Sequence, residues 1–301
     1  MRIVVYGAAG FIGKWLLKIA REEGHDVLAV DIKKFGNHIE FMGEKYDYSR
    51  MNGDLDYLAG VFEGYDAVVN LAAIRATNSF TMTEYVKNIQ MFDEVIRVCK
   101  KTSIRNIIYI SSRAVYSDNN IPWKEKESNV PVSLYGASKF AADMLIEYYN
   151  STTDFNIKSL RLAQVLGIGE RSGYLLNTFI DKAYGKETLK LHGKGVGARQ
   201  YIYVKDVAYS ILNAIEHKET KGIFNIGNEG TISNKELAEI INRVFDNEGN
   251  MEQDIDLSED KSISVMDISK AKEVLGWTPR YTFEEALYDI KNIMNKTKEI
   301  R

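Results

Sequence analysis

A short apolar run leading into spaced glycines constrains this chain more than anything else in it. Residues 3–6 read as a strand and pass directly into Gly7-Ala8-Ala9-Gly10-Phe11-Ile12-Gly13, and residues 14–23 carry a helical pattern. Glycine permits a tight turn and lets main-chain N–H groups approach a pyrophosphate, whose negative charge a helix N-terminus favours. The spacing is G-x-x-G-x-x-G rather than the G-x-G-x-x-G of most dehydrogenases. Alone, such a triplet is also what ordinary turns produce. A second apolar run, 27–30, ends in Asp31, 18 residues beyond Gly13. A carboxylate there accepts hydrogen bonds from a ribose diol and repels a 2′-phosphate, so the expected cofactor is NAD rather than NADP. The basic pair Lys33 and Lys34 works against that preference.

The same alternation continues. Residues 67–71, 107–110 and 158–162 read as further strands, separated by helix-length segments. Near-continuous apolar strands predict a parallel sheet covered on both faces, and right-handed crossovers make it a Rossmann-type doubly wound α/β fold. With 301 residues there is room for a second, smaller mixed α/β domain. The expected division is an NAD-binding domain of 1–164 plus 201–227 and a substrate-binding domain of 165–200 plus 228–301. The helices expected over 84–101 and 136–150 are apolar on more than one stripe. One face can cover the sheet; the other is expected to meet a second copy of the chain, or else to be buried within one chain. Ser233-Asn234-Lys235-Glu236 is a capping box that starts another helix. Residues 246–260 hold seven carboxylates and no basic residue, and read as a solvated acidic loop.

Several function classes drop out. The net charge is −3 with no basic cluster, which disfavours nucleic acid as a partner. The single cysteine, Cys99, cannot form an internal disulfide and suits a reducing cytoplasm. The opening apolar run is too short for a signal peptide, and nothing approaches the roughly 20 apolar residues of a membrane span. A cytoplasmic location is therefore expected. His25, His38, His192 and His217 are scattered, so no metal site is expected. There is no G-x-S-x-G elbow.

Tyr135-Gly136-Ala137-Ser138-Lys139 places a phenol and an ammonium four residues apart, on one face if helical. An ammonium near a phenol favours phenolate, and a phenol so tuned can exchange a proton with a substrate hydroxyl beside a nicotinamide. Ser111-Ser112 closes the 107–110 strand, at the sheet edge where α/β proteins bind ligands. A serine hydroxyl there can hydrogen-bond a reacting oxygen, or simply cap a turn.

With Asp54-Leu55, Asn70-Leu71-Ala72-Ala73, residues 199–207, 224–227 and 267–277, these motifs run along nearly the whole chain. In order and spacing they resemble the extended short-chain dehydrogenase/reductases, and more narrowly the NAD-dependent sugar-nucleotide epimerase/dehydratase family. The resemblance implies Ser112, Tyr135 and Lys139 as the catalytic trio, with Lys139 also donating to ribose hydroxyls. It implies that Gly7, Gly10, Phe11, Ile12, Gly13, Asp31 and Ser111 contact the dinucleotide, and that Asp54 and Leu55 flank its adenine. Leu71, Ala72, Ala73 and Arg75 would line the nicotinamide side and the pyrophosphate, with Asn88 near the active site. Gln164, Tyr174 and Leu175 would face substrate, and Arg199 would grip its diphosphate.

The family's 4,6-dehydratases carry Asp-Glu directly after the catalytic Ser/Thr; Arg113 and Ala114 stand here, which argues against elimination of water. The resemblance then implies a 4-epimerase of the UDP-glucose or UDP-N-acetylglucosamine kind. A keto-sugar-nucleotide reductase using NAD(P)H and a non-catalytic dinucleotide-binding regulator are the alternatives. The chain departs from the family pattern in three ways, one being that the negative charge of the 246–260 stretch would disfavour a diphosphate close by unless it turns to solvent. Gln164 replaces the usual asparagine of Arg-x-x-Asn-x-x-Gly, in Arg161–Gly167, and no second diphosphate arginine lies between Met251 and Lys270, where Lys261 is the nearest cation.

Overall fold

Alternate residues of the first strand face opposite ways, and this sets the layers. In β1 (Arg2–Tyr6), Ile3 and Val5 belong to one buried cluster and Val4 and Tyr6 to the other. A strand apolar on both faces needs cover on both. The computed structural model describes residues 1–33, 36, 38–75, 79–117, 120–127 and 130–299; Lys34 lies outside them. From β1 the chain runs through α1 (Phe11–Glu22), β2 (Asp26–Asp31), β3 (His38–Phe41), β4 (Glu44–Arg50), α2 (Leu55–Phe62), β5 (Ala67–Asn70) and α3 (Met82–Lys101). Then come β6 (Asn106–Ser112), α4 (Leu134–Thr152), β7 (Asn156–Leu162), β8 (Gln164–Leu166), α5 (Leu175–Tyr184), β9 (Leu189–His192), β10 (Ala198–Arg199) and β11 (Tyr201–Tyr203). The last elements are α6 (Val204–Glu216), β12 (Gly222–Ile226), β13 (Ile232–Ser233), α7 (Asn234–Val244), β14 (Met251–Asp254), β15 (Ile263–Ser264), α8 (Ser269–Leu275) and α9 (Phe283–Glu299).

The large sheet has the order β12-β7-β6-β5-β1-β2-β4-β3, parallel except for the edge pair β3–β4. Trp15 and Leu16 of α1 and Val207 and Ile211 of α6 cover one face. Phe62 of α2, Phe92 and Ile96 of α3, and Ala142 and Ile146 of α4 cover the other. All the expected sheet strands are present, so the Rossmann-type architecture is the one the periodicity predicts. The chain leaves β1 toward β2 on one side and later enters β5 on the other. That reversal opens a crevice at the carboxyl ends of the strands, where ligands bind in such folds.

Two segments differ from expectation. The acidic stretch is not simply a solvated loop: β14 pairs in parallel with β9, Met251 opposite Leu189, while Glu252 and Asp254 stay exposed. Main-chain pairing, blind to side-chain charge, decides there. The hairpin β3–β4 was not legible in the charged sequence around Glu44–Arg50; its turn residues Met42 and Gly43 both take positive φ, 49° and 80°, as a two-residue hairpin requires.

The two doubly apolar helices start at side-chain caps. Thr81 and Glu84 form a capping box for α3, and Ser133 accepts the Gly136 N–H at the start of α4. Each buries one side and leaves a second stripe outward, Met82 and Val86 on α3 and Met144 and Tyr148 on α4. The Ser233–Glu236 capping box starts α7 as its spacing predicts, with Leu237, Ile241 and Val244 buried. Among the described residues no helix is long and apolar enough to cross a membrane.

Candidate active site

The crevice holds a cleft of about 1620 Å³. Sites for one small ligand usually occupy about 300–1,000 Å³, so there is room for two. At its foot lies the glycine turn. Gly7 has φ +91°, and a Cβ on it would lie 2.6 Å from the Ala72 main-chain nitrogen. A Cβ on Gly13 would lie 2.7 Å from the carbonyl oxygens of Gly7 and Ala8. The turn therefore fits only as glycine. Gly10, the N-cap of α1, has no side chain to engage the first N–H groups of the helix. That combination of a close main-chain approach and an open helix N-terminus fits a dinucleotide pyrophosphate.

Asp31 lines the cleft at the end of β2. Its Oδ2 accepts the Ala9 N–H at 2.9 Å and its Oδ1 the Lys33 N–H at 3.0 Å. The carboxylate thus braces the glycine turn and still has lone pairs for a diol. Leu55, Leu71, Ala72, Ala73, Arg75, Phe11 and Ile12 line the same cleft, with Ser111, Ser112, Tyr135, Lys139, Gln164 and Tyr174 toward the other end.

Tyr135 is half-buried in the first turn of α4, edge-on to Phe80 with ring centroids 5.7 Å apart. Ser112 caps a single helical turn, its Oγ accepting the Ala114 N–H at 3.1 Å, and its hydroxyl is near enough to Tyr135 to favour the ionised phenol. Burial pushes the Tyr135 phenol up from its usual range, while the Arg75 guanidinium and the Ser112 hydroxyl pull it back. Arg75 and, further down in effect, Arg171 are the cations set against the phenol. The Lys139 ammonium was expected in that role. Its Nζ donates to the Ile110 carbonyl at 2.7 Å and stands 4.6 Å over the Tyr109 ring. Burial brings Lys139 down to about 8, against the upward pull of Asp143.

Beneath this floor runs a buried polar chain. Asp143 accepts from Ser159 Oγ at 2.5 Å, Ser111 Oγ at 3.2 Å and Arg161 Nε at 2.8 Å. Arg161 Nη1 donates to the Tyr116 hydroxyl at 2.8 Å, and that hydroxyl donates to Asn225 Oδ1 at 2.6 Å. Ser111 therefore both borders the cleft and ties β6 to α4.

Other residues named from the sequence make hydrogen bonds within the protein or lie exposed. Asp54 is the N-cap of α2, accepting the Asp56 and Tyr57 N–H groups. Asn88 accepts the Ile74 N–H at 2.7 Å and donates to the Ile74 carbonyl and Ser138 Oγ, which fixes the main chain leading to Arg75. Leu175 begins α5 with its side chain exposed. Arg199 is not among the lining residues: its guanidinium binds Asp260, the Ser262 carbonyl and Ser262 Oγ, so the acidic segment holds the very group assigned to a diphosphate. A lining residue that the sequence did not single out is Glu170, whose Oε1 lies 2.7 Å from Arg75 Nη1. The only local hint of it is the Gly167-Ile168-Gly169 turn just before it.

The comparisons with known proteins agree with this fold. A model of the NAD dependent epimerase/dehydratase family matches residues 3–227. A putative UDP-glucose 4-epimerase of Methanocaldococcus jannaschii is 30% identical, over 97% of this chain and 98% of its own. The UDP-glucuronate 4-epimerase of Thermodesulfobacterium geofontis is 26% identical, over 98% and 96%. The crystal structure of UDP-N-acetylglucosamine 4-epimerase from Bacillus cereus superposes with a TM-score of 0.88 at 31% identity, covering 98% of this chain and 96% of that one.

Proposed function

We propose that this chain, which belongs to the NAD-dependent epimerase/dehydratase family, inverts C4 of a UDP-linked hexose such as UDP-glucose or UDP-N-acetylglucosamine. The observation that carries this reading is that Ser112, Tyr135 and Lys139 line the same cleft as the glycine turn. When bound, NAD would supply reversible hydride acceptance at the sugar carbon. Tyr135 takes the C4 hydroxyl proton and returns it after the sugar has turned, and the Ser112 hydroxyl holds the reacting oxygen. Arg75, near the phenol, favours its ionised form against the cost of burial. Arg113 and Ala114 provide no acid for elimination, which separates the reading from dehydration. Substrate would lie between the 1–164/201–227 and 165–200/228–301 units. The outward stripes of α3 and α4 support a homodimer through those helices.

Purified protein assayed on UDP-glucose, UDP-N-acetylglucosamine and dTDP-sugars is expected to interconvert a C4 pair without added cofactor, with about one NAD per subunit bound. Tyr135→Phe is expected to lower the rate about 10²–10⁴-fold. A full rate in that variant overturns the mechanism.

A further inference from the structure

We propose that Glu170 is a cofactor-retaining residue whose ion pair with Arg75 closes the cleft over the bound dinucleotide. The proposal rests on the epimerase reading, in which NAD stays with the enzyme between turnovers. Arg75 lies in the loop after β5 and Glu170 in the loop after β8, which follows β7. β6 stands between β5 and β7 in the sheet, so the pair spans the end of β6, where Ser112 is. Both residues line the cleft.

The two ends of the pair are held differently. The Glu170 side chain is 3% exposed and that of Arg75 44%. Glu170 Oε1 also accepts the Arg171 N–H at 2.9 Å. The turn before it is fixed to α1, since Trp15 Nε1 donates to the Ile168 carbonyl at 2.8 Å. A Cβ on Gly167 would lie 2.4 Å from Val204 Cγ1 and 3.3 Å from Phe11 Cζ. Glu170 is thus anchored to the helix that begins at the pyrophosphate cradle, and Arg75 is the more solvent-exposed end of the pair. An enclosed carboxylate is costly without a cation, which draws the guanidinium across the cleft. Glu170 is a positioning residue: it acts through Arg75.

Glu170→Gln keeps the shape and an acceptor for the Arg171 N–H but removes the charge. NAD content after gel filtration, the NAD dissociation rate into a scavenging dehydrogenase, and the dissociation constant on stripped protein are the readouts. Glu170→Gln is expected to release NAD at least tenfold faster and to purify with less than half its sites filled. The double variant with Arg75→Gln is expected to release it no faster than Arg75→Gln alone. A wild-type rate in Glu170→Gln, or effects that multiply in the double variant, overturns the proposal. Should Glu170→Gln fail to fold, Glu170→Asp is expected to show a rate above wild type, and an unchanged rate counts against the clasp. Wild-type protein that purifies empty and exchanges NAD freely refutes the epimerase reading instead, while the ratio of affinities on stripped protein still decides the clasp.

Discussion

Two arginines singled out by the sequence, Arg161 and Arg199, are each paired with an aspartate, and their settings are opposite. The Arg161–Asp143 pair is 1% and 0% exposed, and serine and tyrosine hydroxyls complete its hydrogen bonding. The Arg199–Asp260 pair is 19% and 64% exposed, at the edge of the acidic segment. Removing one partner of a buried pair strands a charge away from water, whereas an exposed one is simply resolvated. The first pair therefore holds the catalytic floor, and the second is a contact that another anion can replace.

The sharpest way to break the comparison is Asp143→Ala, which leaves Arg161 buried and unpaired. A loss of about 3–5 kcal/mol in denaturant titration is expected. Next comes pH. The unfolded chain keeps the Lys139 proton up to about 10.5, and the fold releases it near 8. Between these values the unfolded state binds more protons, so this group's contribution to stability rises with pH across that window. The stability difference between wild type and Lys139→Met should accordingly shift by about 3 kcal/mol in favour of wild type from pH 8 to 10.5. No shift would mean that the ammonium is better solvated than its surroundings indicate. Ser159→Ala removes a hydroxyl donor to Asp143 and is expected to cost about 2 kcal/mol. Asp260→Asn should change stability by less than about 1 kcal/mol. By freeing Arg199 it should lower KM for the nucleotide sugar by no more than about fivefold. A larger loss of stability there would erase the distinction between the two pairs.

What the sequence made legible is what local sterics and periodicity decide. The glycine turn could be read because Gly7 and Gly13 meet main-chain atoms that no other residue tolerates. The Tyr135–Lys139 spacing could be read because helical geometry fixes it, and the α7 start because a capping box is four residues long. Arg75–Glu170 could not, since its partners are 95 positions apart and meet only after the sheet is assembled. The bond from Lys139 Nζ to the Ile110 carbonyl has the same origin: four residues along a helix set a face, not the carbonyl that an ammonium chooses. Pairing of β14 with β9 likewise depends on tertiary placement, not on the charges the segment carries.

The bond from Trp15 to the Ile168 carbonyl makes one joint serve two tasks. On the proposed Arg75–Glu170 clasp, replacing residues 167–174 without Phe11 and Trp15 is expected to loosen the hold on the coenzyme. Arg113 and Val132 border the same cleft from other elements and stand clear of that joint.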